Sequence, residues 1–185
     1  MDPLCDENHN PPINHGRLIM KDKIGDDVKH TSTSPLVEES FDALQIGEYG
    51  TLLALDSMTL SLSTTSARID VVEVPPDQTG LSGKAVKAYY DDHFALGALL
   101  TITFTAPTIR RVVFSYLMGR STHRYCQIYD QNNKIVHRAT LSEGNDTFDY
   151  AIPSPKTISK IDLDFGGDIS GQQPKRYLDS FTLYE

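Results

Sequence analysis

The segments ALLTITFTAP (residues 98–107) and IRRVVFSYLMG (residues 109–119) decide the fold. In the first segment, Leu100, Ile102 and Phe104 fall on alternate positions between threonines. This period of two places the apolar side chains on one face of an extended strand. Because the second segment follows directly, the pattern predicts two consecutive β-strands.

The same signal continues on both sides of these segments. Upstream, SMTLSLS (residues 57–63) alternates apolar residues with hydroxyls, which is typical of a half-buried strand. Downstream, two strand-like runs are joined by QNN (residues 131–133), a good hairpin connection because asparagine tolerates positive φ. The other strand-like runs are LVEESFDAL (36–44), ARIDVVEV (67–74), AVKAYY (85–90), RYCQIYD (124–130), KIVHRATL (134–141), DTFDYAIP (146–153), TISKIDLDF (157–165) and YLDSFTLY (177–184).

The spacing of these runs predicts the fold class. About ten short strands with turn residues between them, and no amphipathic helix, indicate an all-β protein. We expect a two-sheet antiparallel β-sandwich, a jelly roll, over residues 36–185. Residues 1–35 are polar and predict a leader or peripheral arm, with one edge strand from Arg17 to Ile24 as the alternative.

Composition disfavours several functional classes. The formal net charge is −8, whereas nucleic-acid binders need clustered Lys and Arg. Two cysteines, Cys5 and Cys126, do not make a disulfide framework, and Cys126 is expected to be a small core side chain. The chain opens without a secretory signal, and no apolar run approaches the ~20 residues of a membrane span. We expect a soluble protein. The sequence leaves open whether it is exported as one module of a longer chain.

The sequence lacks the common motifs of catalysis. HExxH, GxSxG and a phosphate-cradling glycine loop are all absent. Asp162 and Asp164 share a strand face, a pattern that we interpret as solvent-facing alternation rather than a glycosidase acid pair. A jelly-roll hydrolase or isomerase would need several His and acidic residues to converge, but the histidines are scattered. We therefore expect no enzymatic activity.

The last strand, in KRYLDSFTLYE (residues 175–185), carries an aspartate in an otherwise buried pattern. On a regular strand, Asp179 shares one face with Tyr177, Phe181 and Leu183. An unpaired carboxylate there is costly, so it needs a cation, backbone donors or water.

The acidic first strand VEESFD (residues 37–42) and the last strand YLDSFTL (residues 177–183) resemble those of galactose-binding-like jelly rolls, which include many bacterial carbohydrate-binding modules. The resemblance implies that these two strands lie side by side. It also implies a structural calcium ion held by Glu38 or Glu39 with Asp179 and loop carbonyls, and oxygen ligands of this kind suit calcium. Asp42 is a further candidate ligand. The alternative is that Asp179 accepts backbone N–H bonds while both glutamates are solvated.

Loops supply the candidate ligand-binding residues. The segment YYDDHFALG (residues 89–97) joins aromatic Tyr89 and Tyr90 to Asp92, a mixture suited to a sugar ring. The segment GRSTHR (residues 119–124) offers Arg120 and His123, which can meet an anionic group. For the first segment, the alternative is that its tyrosines pack in the core and the rest is a solvated loop. For the second segment, the alternative is an ordinary solvated turn. A glycine-rich loop at FGGDISGQQPKRY (residues 165–177) is a third candidate.

These patterns lead to one functional hypothesis and one alternative. The first is a non-catalytic, lectin-like glycan-binding module in which Tyr and Phe replace the missing Trp. The alternative is a protein-interaction or adhesion module of a larger bacterial surface or toxin-like protein. An exposed edge strand can pair across a two-fold axis, so the protein is expected to be a monomer or an edge-strand dimer.

Overall fold

The computed structural model describes residues 34–78, 80–90, 99–119, 124–164 and 176–185, without the side chains of Tyr89 and Tyr90. This part of the chain contains one short 3-10 helix, Phe41–Ala43, and thirteen strands. The strands are β1 Val37–Glu39, β2 Gly47–Glu48, β3 Leu52–Ala54, β4 Met58–Leu62, β5 Ala67–Glu73, β6 Lys84–Tyr90, β7 Leu99–Phe104, β8 Arg111–Met118, β9 Tyr125–Asp130, β10 Ile135–Thr140, β11 Gly144–Ala151, β12 Ile158–Asp164 and β13 Arg176–Tyr184. No helix in the described ranges is long and apolar enough to cross a membrane.

The strands form two antiparallel sheets. One has six strands in the order β10-β9-β12-β7-β4-β3. The other has seven, in the order β11-β8-β13-β6-β5-β2, with β1 paired to β13. This topology confirms the predicted all-β sandwich of two antiparallel sheets. The domain boundary near residue 35 stays a prediction, because the leader lies outside the described residues.

The core between the sheets follows the predicted alternation. Leu100, Ile102 and Phe104 of β7 all lie in one apolar cluster with residues of both sheets. At its centre, the Phe114 ring stacks on Phe181 with ring centroids 5.1 Å apart. The QNN hairpin is also confirmed, since β9 and β10 pair antiparallel and Asn133 has a φ of 59°.

The last strand departs from the regular pattern. Leu178, Phe181 and Leu183 all face the core, whereas Tyr177 packs in a separate cluster with Leu81, Ala85 and Leu117. The register of β13 against β8 shifts between Leu178 and Phe181, which marks a bulge. The extra residue reverses the alternation, so the expectation that Tyr177 and Asp179 share a face with Phe181 and Leu183 is wrong.

The first and last strands lie side by side, as the resemblance implied. Val37 pairs with Leu183, and Glu39 pairs with Phe181. Strand β13 is therefore covered on one side by β1 and β6 and on the other by β8.

Candidate functional site

Polar and aromatic side chains collect on the outer face of the six-stranded sheet, where β9 pairs with β12. The register sets Tyr125 opposite Asp164, Gln127 opposite Asp162, and Tyr129 opposite Lys160. The residues that alternate with them are apolar and lie in the core: Cys126, Ile128, Ile161 and Leu163. Because successive side chains of a strand point to opposite faces, the six paired residues point outward. We call these six residues, together with Arg138 and Thr101, the sheet-face site.

The acidic and amide groups of the sheet-face site are buried although they point away from the core. Asp162 is 5% exposed, Gln127 6% and Asp164 7%. Basic side chains lie over the neighbouring rings. The Lys160 Nζ is 3.9 Å from the centroid of the Tyr129 ring, and the Arg138 guanidinium carbon is 5.0 Å from that of Tyr125. Carboxylates this deeply covered need partners.

A chain of hydrogen bonds supplies those partners. With the Gln127 amide oriented to satisfy both neighbours, its oxygen accepts from the Arg138 guanidinium and its nitrogen donates to the Tyr129 hydroxyl at 3.1 Å. The Tyr129 hydroxyl in turn donates a hydrogen bond to the Asp162 carboxylate. Asp162 also accepts from Thr101 Oγ1 at 2.8 Å, and Lys160 Nζ lies 3.5 Å from its other oxygen. Bonds linked in this way reinforce one another and hold each group in one orientation.

Both phenols remain protonated donors at neutral pH. Burial, then the hydrogen bond and negative charge of Asp162, raise the pKa of Tyr129 to about 12. Burial and the nearby Asp164 likewise raise the pKa of Tyr125. The sheet-face site thus presents fixed donors, fixed acceptors and two aromatic rings on one rigid sheet.

The sequence analysis identified the shared face of Asp162 and Asp164 but did not predict that these carboxylates are buried beside two tyrosines. Asp162 and Asp164 do face outward, but they are buried, so the interpretation as solvent-facing residues is wrong. The available signal was the alternation of Tyr125, Gln127 and Tyr129 on β9. Its meaning appears only once β12 is known to pair with β9.

The predicted ligand-binding residues are not tested by the structure. Tyr89 and Tyr90 end β6 in the seven-stranded sheet, opposite Arg68 and Ala67, and are therefore not on the same sheet as Tyr125. Their side chains, and all of Asp92, Arg120 and His123, lie outside the described residues. These five contacts stay a prediction.

The predicted calcium ligands are only partly brought together. Asp179 is 8% exposed and accepts from the Ser82 N–H at 3.1 Å. Burial raises the pKa of Asp179, and the negative charge of Asp42 raises it further. By contrast, Glu39 accepts from Ser57 Oγ at 2.5 Å, and Glu38 is an exposed residue of β1. Within the described ranges, no three His, Cys, Asp or Glu side chains are grouped to hold a metal ion.

The carbonyl oxygens of Asp42 and Leu44 already accept hydrogen bonds from a lysine ammonium. Lys84 Nζ donates to the carbonyls of Asp42 at 2.8 Å and Leu44 at 2.7 Å. The backbone N–H of Lys84 donates to Asp42 Oδ1 at 2.8 Å. Gly83, with a φ of 68°, comes so close to Asp42 that a Cβ there would collide with the carboxylate. The run from Ser82 to Lys84 therefore holds both acids through its N–H groups.

Eleven solved chains match this one in structure, and the two described next are distant likenesses. No protein-family model matches the sequence, and no curated protein is similar to it. A family 11 carbohydrate-binding module from Clostridium thermocellum, solved with a β-1,3-1,4-mixed-linked tetrasaccharide, is 11% identical with a TM-score of 0.38, covering 75% of this chain and 96% of that one. The enzymatically active domain of tailspike protein 4 from bacteriophage CBA120 is 18% identical with a TM-score of 0.28, covering 69% of this chain and 17% of that one. The assignment of the sandwich rests on the sheet topology described above.

Proposed function

We propose that the protein is a non-catalytic carbohydrate-binding module and that the sheet-face site holds the glycan. One observation carries the proposal: two tyrosines, an amide and two buried carboxylates are held together on the outer face of a rigid sheet. A sugar offers apolar C–H faces that stack on rings and hydroxyls that both donate and accept. Binding sites for such ligands combine an apolar platform with a few fixed polar groups.

The fixed network favours binding because its side chains lose little freedom when a ligand arrives. Ordering flexible side chains costs about 0.5–1.5 kcal/mol each on association. Here Gln127, Tyr129 and Asp162 are already ordered by their mutual bonds. A sugar that reaches the half-buried Tyr125 and Tyr129 therefore meets side chains that are already in place.

The spacing of the two rings favours an oligosaccharide. Tyr125 and Tyr129 are four residues apart on one strand, which corresponds to roughly 13 Å along the sheet. That distance exceeds one pyranose ring, so a ligand touching both tyrosines needs several linked sugars. The predicted contacts Tyr89, Tyr90, Asp92, Arg120 and His123 stay proposed as glycan contacts, with Tyr89 and Tyr90 on the other sheet from the sheet-face site.

The arrangement of the acids supports binding rather than hydrolysis. Asp162 and Asp164 project from the same face of one strand. Glycosidase carboxyls instead flank the scissile bond. In addition, Asp162 is engaged by Thr101 and Lys160, which leaves it as an acceptor rather than a proton donor.

A glycan array followed by titration calorimetry tests the proposal. We expect oligosaccharide binding that falls at least tenfold in Tyr129→Ala and Asp162→Asn. The matched control is Tyr184→Ala, on the seven-stranded sheet, which should bind normally. If no glycan binds, or if a protein partner is recovered and sugars fail to compete with it, the adhesion alternative takes over.

A structural calcium ion is the second part of the proposal. Asp179 and Asp42 supply carboxylates around the run from Ser82 to Lys84, and Glu38 or Glu39 would have to join from β1. The donor set fits calcium in part, because its oxygens suit the ion but the carbonyls of Asp42 and Leu44 already accept from Lys84. Bound calcium would raise the melting temperature, and a chelator would lower it in the native protein but not in Asp179→Asn. An unchanged melting temperature in chelator would remove the calcium ion from the proposal.

A further inference from the structure

A cavity lies beside the Tyr129 end of the sheet-face site, where Ile135 pairs with Tyr129, and shares no residue with that site. We call it the edge cavity. It has a volume of about 360 Å³ and opens beside β10 and β11, which are the edge strands of the two sheets. Its lining comes from the start of β10, the end of β11 and the segment that follows: Lys134, Ile135, Val136, Tyr150, Ile152 and residues 153–156.

The walls of this edge cavity are apolar and include one positioned ring. Ile135 is 48% exposed, which leaves it available for contact. The Tyr150 ring stacks on His137, with centroids 4.4 Å apart and planes 19° from parallel. Burial lowers the pKa of His137, so the stacked imidazole is neutral at pH 7. Stacking on one face fixes the Tyr150 ring beside the cavity.

The charges that line the edge cavity are both positive. Lys134 and Lys156 are its only charged lining residues among those the structure describes. One acid beside the cavity, Asp130, is 2% exposed and accepts from the N–H groups of Asn132 and Lys134 at 3.0 Å each. It lies 3.9 Å from Lys156 Nζ, at the limit of an ion pair. On a chain of net charge −8, this is a local positive region.

We propose that the edge cavity is a second binding site, for a carboxylated sugar unit of the uronic-acid type. Such a ring has an apolar face for Tyr150 and Ile135 and a carboxylate for the two lysines. The cavity volume falls at the small end of the range of about 300–1,000 Å³ typical of ligand pockets, which suits a ligand of one or two rings. A ring without charge, or a charge without a ring, would use only half of the site.

Nuclear magnetic resonance titration of the whole chain with three probes tests this inference. Glucuronate carries both features, glucose carries only the ring, and acetate carries only the charge. We expect glucuronate to shift the resonances of Ile135 and Tyr150, with affinity at least tenfold above that of either other probe. Equal binding of acetate would reduce the site to general anion attraction, and equal binding of glucose would show that the lysines do not contribute.

Two sets of variants complete the test. The double variant Lys134→Gln, Lys156→Gln should lose at least tenfold in glucuronate affinity, while Lys87→Gln, on the seven-stranded sheet, should keep it. Since both cavity lysines are exposed, the double variant should fold normally. Tyr125→Ala, at the other end of the sheet-face site, should also keep glucuronate binding, which separates this inference from the proposed sheet-face site. Unchanged affinity in the double variant would overturn the inference.

Discussion

Replacing Lys84 by methionine would show how much a single ammonium contributes to holding the segment after β1 on the sandwich. Lys84 Nζ donates to the carbonyls of Asp42 and Leu44, which flank the end of the short helix Phe41–Ala43. Phe41 of that helix is fully buried and meets Phe181 edge-on at 6.3 Å. The ammonium thus links a surface segment to β6 directly above a core contact.

The size of the effect follows from the two bonds. A hydrogen bond to a charged group contributes about 1.5–3 kcal/mol to stability. Lys84 is half-buried, so water can partly replace the lost donor at each carbonyl. We therefore expect the two bonds together to contribute about as much as one full bond of this kind, a loss of about 2 kcal/mol. For a chain of this length that loss lowers the melting temperature by about 4–8 °C.

Urea unfolding and calorimetry measure both quantities. The midpoint should fall while the slope of the transition stays constant, because the folded state keeps its compactness. Lys87→Met is the matched control, since Lys87 also lies on β6 and its Nζ is 5.8 Å from the centroid of the Tyr177 ring. A loss below ~0.5 kcal/mol in Lys84→Met, within the range of ordinary surface changes, would refute the reasoning. So would an equal loss in the control.

Two further predictions concern single oxygen atoms. Tyr129→Phe keeps the ring but removes the hydroxyl between Gln127 and Asp162, so urea unfolding should show a loss of about 1 kcal/mol, with Tyr184→Phe close to neutral. Asp179→Asn tests the raised pKa of the buried carboxyl. Because ionised Asp179 is disfavoured in the folded state, its penalty is present above the folded pKa and disappears as pH falls through that value toward the unfolded pKa of about 3.9. Without added metal, the stability of Asp179→Asn relative to the native protein should therefore be more favourable at pH 7 than at pH 4, and the opposite order in urea unfolding would contradict this.

The predicted strands were visible in the sequence because their signal is local. Leu100, Ile102 and Phe104 alternate along one segment, and a half-buried strand imposes that period by itself. The bulge in β13 was not visible in the same way. Leu178 and Tyr177 both carry large side chains with apolar surface, so the sequence permits either to face the core, and the pairing with β8 decides between them.

The sheet-face site was hidden for a related reason. Each of its strands shows alternation, but the pairing of Gln127 with Asp162 joins segments that are far apart in the chain. A carboxylate on the outer side of a strand is usually solvated, and burial here depends on side chains from neighbouring strands. Lys160 and Arg138 lie over the two rings, and no local pattern predicts that.

The chemistry of the sheet-face site separates a binding role from a structural one. Buried ionic networks contribute little net stability, and apolar replacements of similar volume are often neutral or stabilising. The strands β9 and β12 are also already held from the core side by Cys126, Ile128, Ile161 and Leu163. If the network served stability alone, Tyr129→Phe would change unfolding and leave any glycan affinity intact. If it orders donors and acceptors for a ligand, glycan affinity should fall at least tenfold, about 1.4 kcal/mol, while the ring still stacks. A variant that loses stability but binds its oligosaccharide normally would show that the network has a structural role only.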